Sequence, residues 1–167
     1  MTEPPEVKIR AVTLDDLQPL IDLYLDTARH HEAIDPEGYR VPERADVAER
    51  LRRRVEAQDD ESAYVAALVG GRMVGSATMY VHALPPPGSM EIPLRVGEFG
   101  VSVAEGWRGR GIGTALIRHL EAWAAAHGAE RIILNVSEAN TDAIRLYHTL
   151  GYRDSARTMR KPADPAG

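Results

Sequence analysis

Apolar residues recur along this chain with two periods, and the places where one gives way to the other mark its elements. From Val7 to Val12 the alternation of a strand holds, with Val7, Ile9 and Ala11 on one side. Thr13 with Asp16 three residues on resembles a capping box. A helix is therefore expected to start there and to run through Leu14, Leu17, Leu20, Ile21, Tyr24 and Leu25, bent at Pro19. Pro36, Gly38 and Pro42 make residues 34–42 a loop. Val47, Leu51 and Val55, spaced by four, give a second helix over Glu43–Gln58, with Arg50, Arg52, Arg53 and Arg54 as a solvated charged face. Strand patterns return over Ser62–Val69 and Arg72–Val81, joined by the tight-turn pair Gly70-Gly71. Ala83–Pro93 contains three consecutive prolines and reads as a loop.

Alternation resumes over Arg95–Val103, placing Phe99, Val101 and Val103 on one face and Glu98, Gly100 and Ser102 on the other. Over Gly111–His127 the period is helical: Ile112, Ala115, Leu116, Leu120, Trp123 and Ala124 form one stripe, and Gly128 stands where a left-handed C-cap belongs. Arg131–Val136 is a short apolar run, read as a strand in the sheet interior. Asn140 is placed to cap a helix carrying Ala143, Ile144, Leu146, Tyr147 and Leu150 and stopped by Gly151; Tyr152–Met159 reads as a last strand. The resulting order, β-α-α-β-β-β-α-β-α-β, is mixed α/β with no repeat or linker. One domain over 1–167 is expected, with 1–6 and 161–167 frayed.

The most informative stretch follows the strand that ends at Val103. Gly109, Gly111 and Gly113 alternate through a turn that opens a helix, so backbone N–H groups there can approach a ligand closely. A helix start leaves its first N–H groups unpaired and carries the positive end of the dipole, which suits an anion such as phosphate. Arg108 and Arg110 add charge and donors. The dinucleotide pattern G-x-G-x-x-G is not met, because the third glycine comes one residue early and Thr114 stands where the pattern needs glycine; the Walker pattern is absent.

What the residues do match is the acyl-CoA signature [Q/R]-x-x-G-x-[G/A], filled by Arg108, Gly111 and Gly113. Together with Asn140-x-x-Ala143-x-x-x-Tyr147-x-x-x-Gly151-Tyr152, the chain resembles the GCN5-related N-acetyltransferase (GNAT) family over roughly its last two thirds. The resemblance implies a GNAT-like α/β domain: a twisted mixed β-sheet, splayed at its central strands and flanked by helices. It implies N-acetyl transfer from acetyl-CoA to a primary amine by direct attack in a ternary complex. The pyrophosphate would lie on the backbone of Arg108, Gly109, Arg110, Gly111, Ile112, Gly113 and Thr114. Pantetheine would pair with the backbone of Val101 and Val103, and Asn140 would touch the CoA chain. It also implies a homodimer. A shortened C-terminus, with about fifteen residues after Tyr152, would leave an edge near Met159 for a second chain to cover.

Transfer to an amine needs a group that takes the acceptor's proton and one that protonates the departing thiolate. Glu98 is the candidate base, since a partly buried carboxylate can be shifted from about 4.3 toward neutrality. Glu91 and water are rivals. Tyr147 falls at the family position for the general acid at the CoA sulfur. Ser102 lacks a His–acid partner in the sequence and reads as a strand serine. Two other readings fit the turn: a catalytically silent acyl-CoA-binding sensor module, and a different phosphate binder. The acceptor pocket falls on segments that match no motif.

Composition narrows the chemistry. The 167 residues are 44% hydrophobic and 27% charged, ordinary for a globular chain, and no apolar run approaches the roughly 18 residues of a membrane span. With no signal-peptide pattern at Met1, a cytoplasmic protein is expected. Zero cysteines exclude a cysteine acyl-enzyme and a thiolate metal site, and six scattered histidines give no metal-ligand spacing, so no metal is expected. The formal charge of −5 argues against nucleic acid and is compatible with a cationic acceptor.

Overall fold

The computed structural model describes residues 6–163; most of the ends expected to fray lie outside them. Five strands form one mixed sheet in the order β1-β2-β3-β4-β5: β1 (Lys8–Ala11), β2 (Ser62–Val69), β3 (Arg72–Leu84), β4 (Leu94–Val103) and β5 (Arg131–Ile133). The first four are antiparallel neighbours, and β4 with β5 is a parallel pair. Gly70 and Gly71 both have positive φ and close the β2–β3 hairpin at the expected place.

Alternation along the strands sorts their side chains between two cores. On one face Val65, Ala67, Ala77, Met79, Val81 and Phe99 meet the stripe Ile112, Leu116, Ile117, Leu120 and Ala124 of α3 (Ile112–Ala126). On the other, Tyr64 and Ala66 meet Leu17, Leu20, Ile21 and Leu25 of α1 (Leu17–Ile34) and Val47, Leu51 and Val55 of α2 (Arg44–Glu56). Side chains such as Leu20, Leu51, Leu116 and Leu120 are almost fully buried, each contributing about 1.5–3 kcal/mol of burial. At Gly97 of β4 a Cβ would lie 2.9 Å from Met79 Sδ and 3.2 Å from Ala124 Cβ, so glycine there sets how closely α3 lies on the strand.

Four expectations are corrected. The first helix begins at Leu17, after a short 3-10 turn over Leu14–Asp16, which puts Pro19 in its first turn, where its missing N–H breaks no helical bond. Strand β3 continues to Leu84, into the segment read as a loop. The apolar run Arg131–Val136 is a strand only as far as Ile133 and lies at the sheet margin, because apolar content reports burial and says nothing of strand neighbours. Tyr152–Met159 forms no strand: past the half-buried Tyr152 every residue to Met159 is exposed, with no apolar face to bury, so the edge anticipated near Met159 is instead the outer side of β5.

Helix α4 (Thr141–Thr149) starts as expected, with Asn140 Oδ1 accepting from Ala143 N at 3.2 Å. The chain leading to it turns away from the sheet. Ser137 Oγ donates to Asp35 Oδ2 at 2.8 Å, beyond the end of α1, and Asn140 N donates to Ser137 O. That departure parts β5 from β4: their pairing ends at Glu98 opposite Ile133, and β4 runs on to Val103 without a neighbour on that side.

Candidate active site

The turn after β4 is built to expose its backbone. Gly109 and Gly111 have φ of 71° and 81°, in the left-handed region, and a Cβ on either would meet nothing within 4 Å. Gly111 is the N-cap of α3 and offers no side chain to its N–H groups. From Arg108 to Thr114 no backbone N–H finds an acceptor among the described residues; the first bond of the helix runs from Ala115 N to Gly111 O. Free donors at the positive end of the helix dipole are an arrangement suited to an anion. Arg110 lies over the Trp107 ring, 5.1 Å from its centroid. Arg108 braces the turn: Nε donates to Val103 O at 2.9 Å, and its guanidinium meets Asp26 Oδ2 of α1 at 3.3 Å.

Beside the turn lies the open side of β4. Phe99, the first residue past the last β4–β5 pair, packs edge-on against Tyr147 at 5.9 Å and lies tilted against Tyr152 at 5.7 Å. Tyr147 is thereby held at the mouth of the splay, on the α3 face of the sheet. Its hydroxyl has no hydrogen-bond partner among the described residues, and burial raises its pKa above the ordinary 10, so it remains a donor at neutral pH. Tyr152 donates to Glu121 Oε1 at 2.7 Å, an acceptor that commits its hydroxyl to structure. Val101 and Val103 point to the same face as Phe99 and pack on the α3 core.

Glu98 faces the other way, toward α1 and α2, directly opposite Tyr80 of β3. It is half-exposed; Asn135 Nδ2 donates to its Oε1 at 3.4 Å, and His82 Nε2 stands 3.9 Å from Oε2. Glu91 sits in the exposed loop between β3 and β4. On Glu98's face a cavity of about 500 Å³ opens, floored by Ser76, Thr78, Gly100 and Ser102 and walled by α1, α2 and the 35–42 loop. His31 and Tyr39 stack across that wall at 4.8 Å. Burial lowers the His31 pKa below the usual value, with His30 and Arg108 adding repulsion, so its ring is neutral near pH 7.

The sequence did not reveal this cavity. Its walls come from five separate elements, and the one local signal was Ser76 and Thr78, small buried polar residues at alternate positions on an otherwise apolar strand. Asp26 as partner of Arg108, and His82 and Asn135 beside Glu98, were likewise missed, because each contact joins residues far apart in the chain.

A model of the Acetyltransferase (GNAT) family matches residues 18–152, from the start of α1 to the tyrosine beyond α4. The chain belongs to the GNAT acetyltransferase family. Among curated relatives of this GNAT chain, L-2,4-diaminobutyric acid acetyltransferase of Nocardia farcinica is 30% identical over 143 residues, 77% of this chain and 70% of the relative. Mycothiol acetyltransferase of Frankia alni is 34% identical over 115 residues, 64% of this chain and 33% of that protein. The N-acetyltransferase YobR of Bacillus subtilis is 46% identical over 52 residues, so the match spans 31% of this chain and 21% of YobR. Solved structures share the fold: a mutant of the BH1408 protein from Bacillus halodurans superposes with a TM-score of 0.83 at 22% identity, covering 93% of this chain and 98% of that one. Aminoglycoside N-acetyltransferase AAC(6')-Iy in complex with CoA gives 0.70 at 18% identity, with 99% of each chain covered.

Proposed function

We propose that residues 1–167 act as one acetyltransferase domain that moves an acetyl group from acetyl-CoA to a primary amine, the two substrates bound together. The observation that carries this reading is the unbroken run of unpartnered N–H groups from Arg108 to Thr114, continuous with the free side of β4 beyond Glu98. The residues present fit acetyl-CoA: the positive-φ glycines leave room for a pyrophosphate against the backbone, and the parted strands offer an extended edge at Val101 for pantetheine amides. Asn140, capping α4 beside the same opening, completes the binding set.

Acetyl-CoA supplies an acyl carbon already activated as a thioester. The chain's own groups handle two protons. Glu98 lies on the sheet face that holds the cavity, so it takes the proton from an ammonium entering there and frees the nitrogen lone pair to form the C–N bond. Tyr147 lies on the opposite face, so its Oη gives its proton to sulfur as the C–S bond breaks, and the second proton of the nitrogen, shed as the amide forms, returns to the Tyr147 oxygen by way of solvent. Base and acid thus flank β4, in keeping with an acceptor and a leaving group on opposite sides of the acyl carbon. No described helix is long and apolar enough to cross a membrane, and a cytoplasmic site of action with no metal is part of the reading. The test is acetyl-CoA-dependent thiol release against a broad amine panel. Turnover supports the reading, whereas CoA binding without turnover on any amine would return the chain to an acyl-CoA sensor.

A further inference from the structure

The cavity on the Glu98 face has a charge pattern that the whole-chain balance of −5 conceals. Two guanidinium groups line it, Arg40 from the 35–42 loop and Arg54 from α2, and no Asp or Glu is among its lining residues. Neither arginine has an ion-pair partner among the described residues. Arg54 is half-buried, over the Tyr80 ring at 5.9 Å, so its fork is oriented and partly desolvated. Acids that adjoin the walls have partners of their own: Asp26 accepts from Arg108 and Glu105 N, Asp35 from Ser137 Oγ and Gly38 N, and Glu32 from Val41 N. His31, the remaining titratable side chain of basic type in the lining, is neutral, and two buried polar atoms on the α1 wall, Thr27 Oγ1 and His31 Nδ1, have no partner among the described residues.

A cationic wall without a counter-ion favours a negative group, and an arginine fork matches carboxylate or phosphate oxygens. At the other side of the same sheet face stands the Glu98 carboxylate, which favours an ammonium. We infer that the acceptor is a dipolar molecule: an amine that also carries an anionic group, the anion held by Arg54 and Arg40 and the nitrogen directed toward Glu98 and β4. A bare polyamine meets two positive charges there. The inference deepens the transferase reading above and rests on it for the role of Glu98, but the charge preference of the cavity can be measured by itself.

The probes are paired. α-Amino acids are compared with their carboxamides, and 2-aminoethyl phosphate with ethanolamine, by thiol release with acetyl-CoA and by calorimetry on CoA-saturated protein. The expected result is a preference of tenfold or more for the partner that carries the anionic group in at least one pair. That ratio should fall toward one in Arg54→Ala and recover in part in Arg54→Lys, which restores charge without the fork. A preference confined to the first pairs assigns a carboxylate, and one confined to the second assigns a phosphate. Equal handling of the partners with and without the anionic group overturns the inference, as does failure of every anion-bearing probe to bind, or an unchanged ratio in folded Arg54→Ala. Should Arg54→Ala not fold, the same ratio is read in Arg40→Ala, whose side chain is exposed. If no amine turns over, the transferase reading fails while calorimetry still decides the charge preference.

Discussion

Replacing Tyr147 with phenylalanine removes one oxygen and leaves the rest of the site standing. The ring keeps its edge contacts with Phe99 and Tyr152, both at 5.9 Å, and the lost hydroxyl had no hydrogen-bond partner among the described residues. The change in stability should therefore stay below about 1 kcal/mol. The effect on catalysis should be larger. A general acid contributes roughly 10²–10⁴-fold, and a thiolate whose conjugate acid has a pKa near 8.5 leaves tolerably without help, so a loss of about 10- to 1000-fold in kcat is expected. That corresponds to about 1.4–4 kcal/mol of barrier. Single-turnover thiol release measures it, with calorimetry confirming that CoA affinity is little changed. Two further readouts separate an acid from a packing residue. A thioester with a more acidic thiol should shrink the defect, because its sulfur needs the proton less. Since burial raises the phenol's pKa, the wild type should lose activity from this group only above pH 10, and the variant should lack that alkaline limb. Wild-type turnover in Tyr147→Phe, or a defect insensitive to the leaving group, would make Tyr147 a packing aromatic only.

Glu98→Gln should lower kcat/KM and alter the acidic limb of the pH profile while CoA affinity holds; an unaltered profile passes the base to water or Glu91. Gly111→Val should weaken CoA binding tenfold or more by calorimetry, since left-handed backbone costs a non-glycine residue about 1–2 kcal/mol and a side chain would crowd the N–H groups; unchanged affinity would remove this site. Asp16 is buried and accepts both Arg10 guanidinium nitrogens, at 2.7 and 2.8 Å, and Thr13 N at 2.9 Å, with the Arg10 bonds chiefly holding its pKa below the usual value. Its stabilisation is then present above about pH 4 and lost as pH falls through the depressed pKa. Asp16→Asn should cost about 1–2 kcal/mol at pH 7, discounted for the half-exposed Arg10, and the gap in urea midpoints should close toward pH 2; a pH-independent gap would contradict this. The outer side of β5 is an unpaired edge, and we propose a homodimer that covers it; a monomer mass by light scattering at micromolar concentration would refute that.

Much of the fold was legible because single-face burial writes itself into the chain. The stripe of α3, the spacing of Val47, Leu51 and Val55, and the two-faced β4 each report one buried side. What failed were readings that required knowledge of neighbours. The run at Arg131–Ile133 carries Ile132 packed against the core that includes α3, which an edge strand permits as readily as a central one. Thr13–Asp16 gave a helix start, yet the intervening 3-10 turn moved the α-helix three residues on and made Pro19 harmless. The anion turn was readable because its donors are consecutive in the chain. The cavity was not, because His31, Arg40, Arg54, Thr78 and Ser102 meet only after two helices, a loop and two strands have been placed.

Two aspartates near α1 cross from one half of the chain to the other. Asp26 accepts from Arg108 and from Glu105 N at the anion turn, and Asp35 accepts from Ser137 on the approach to α4. Both stand beside residues that wall the cavity, Thr27 and the 35–42 loop. In the proposed reaction, with CoA at the turn and the acceptor in the cavity, a ligand that reorients Arg108 would pull on the wall of the other site, and thermodynamic linkage would make the influence mutual: whatever factor CoA imposed on acceptor affinity, the acceptor would impose on CoA. Asp26→Asn would loosen that tie, so the order in which the two substrates load should be the kinetic property most sensitive to a residue that touches neither of them.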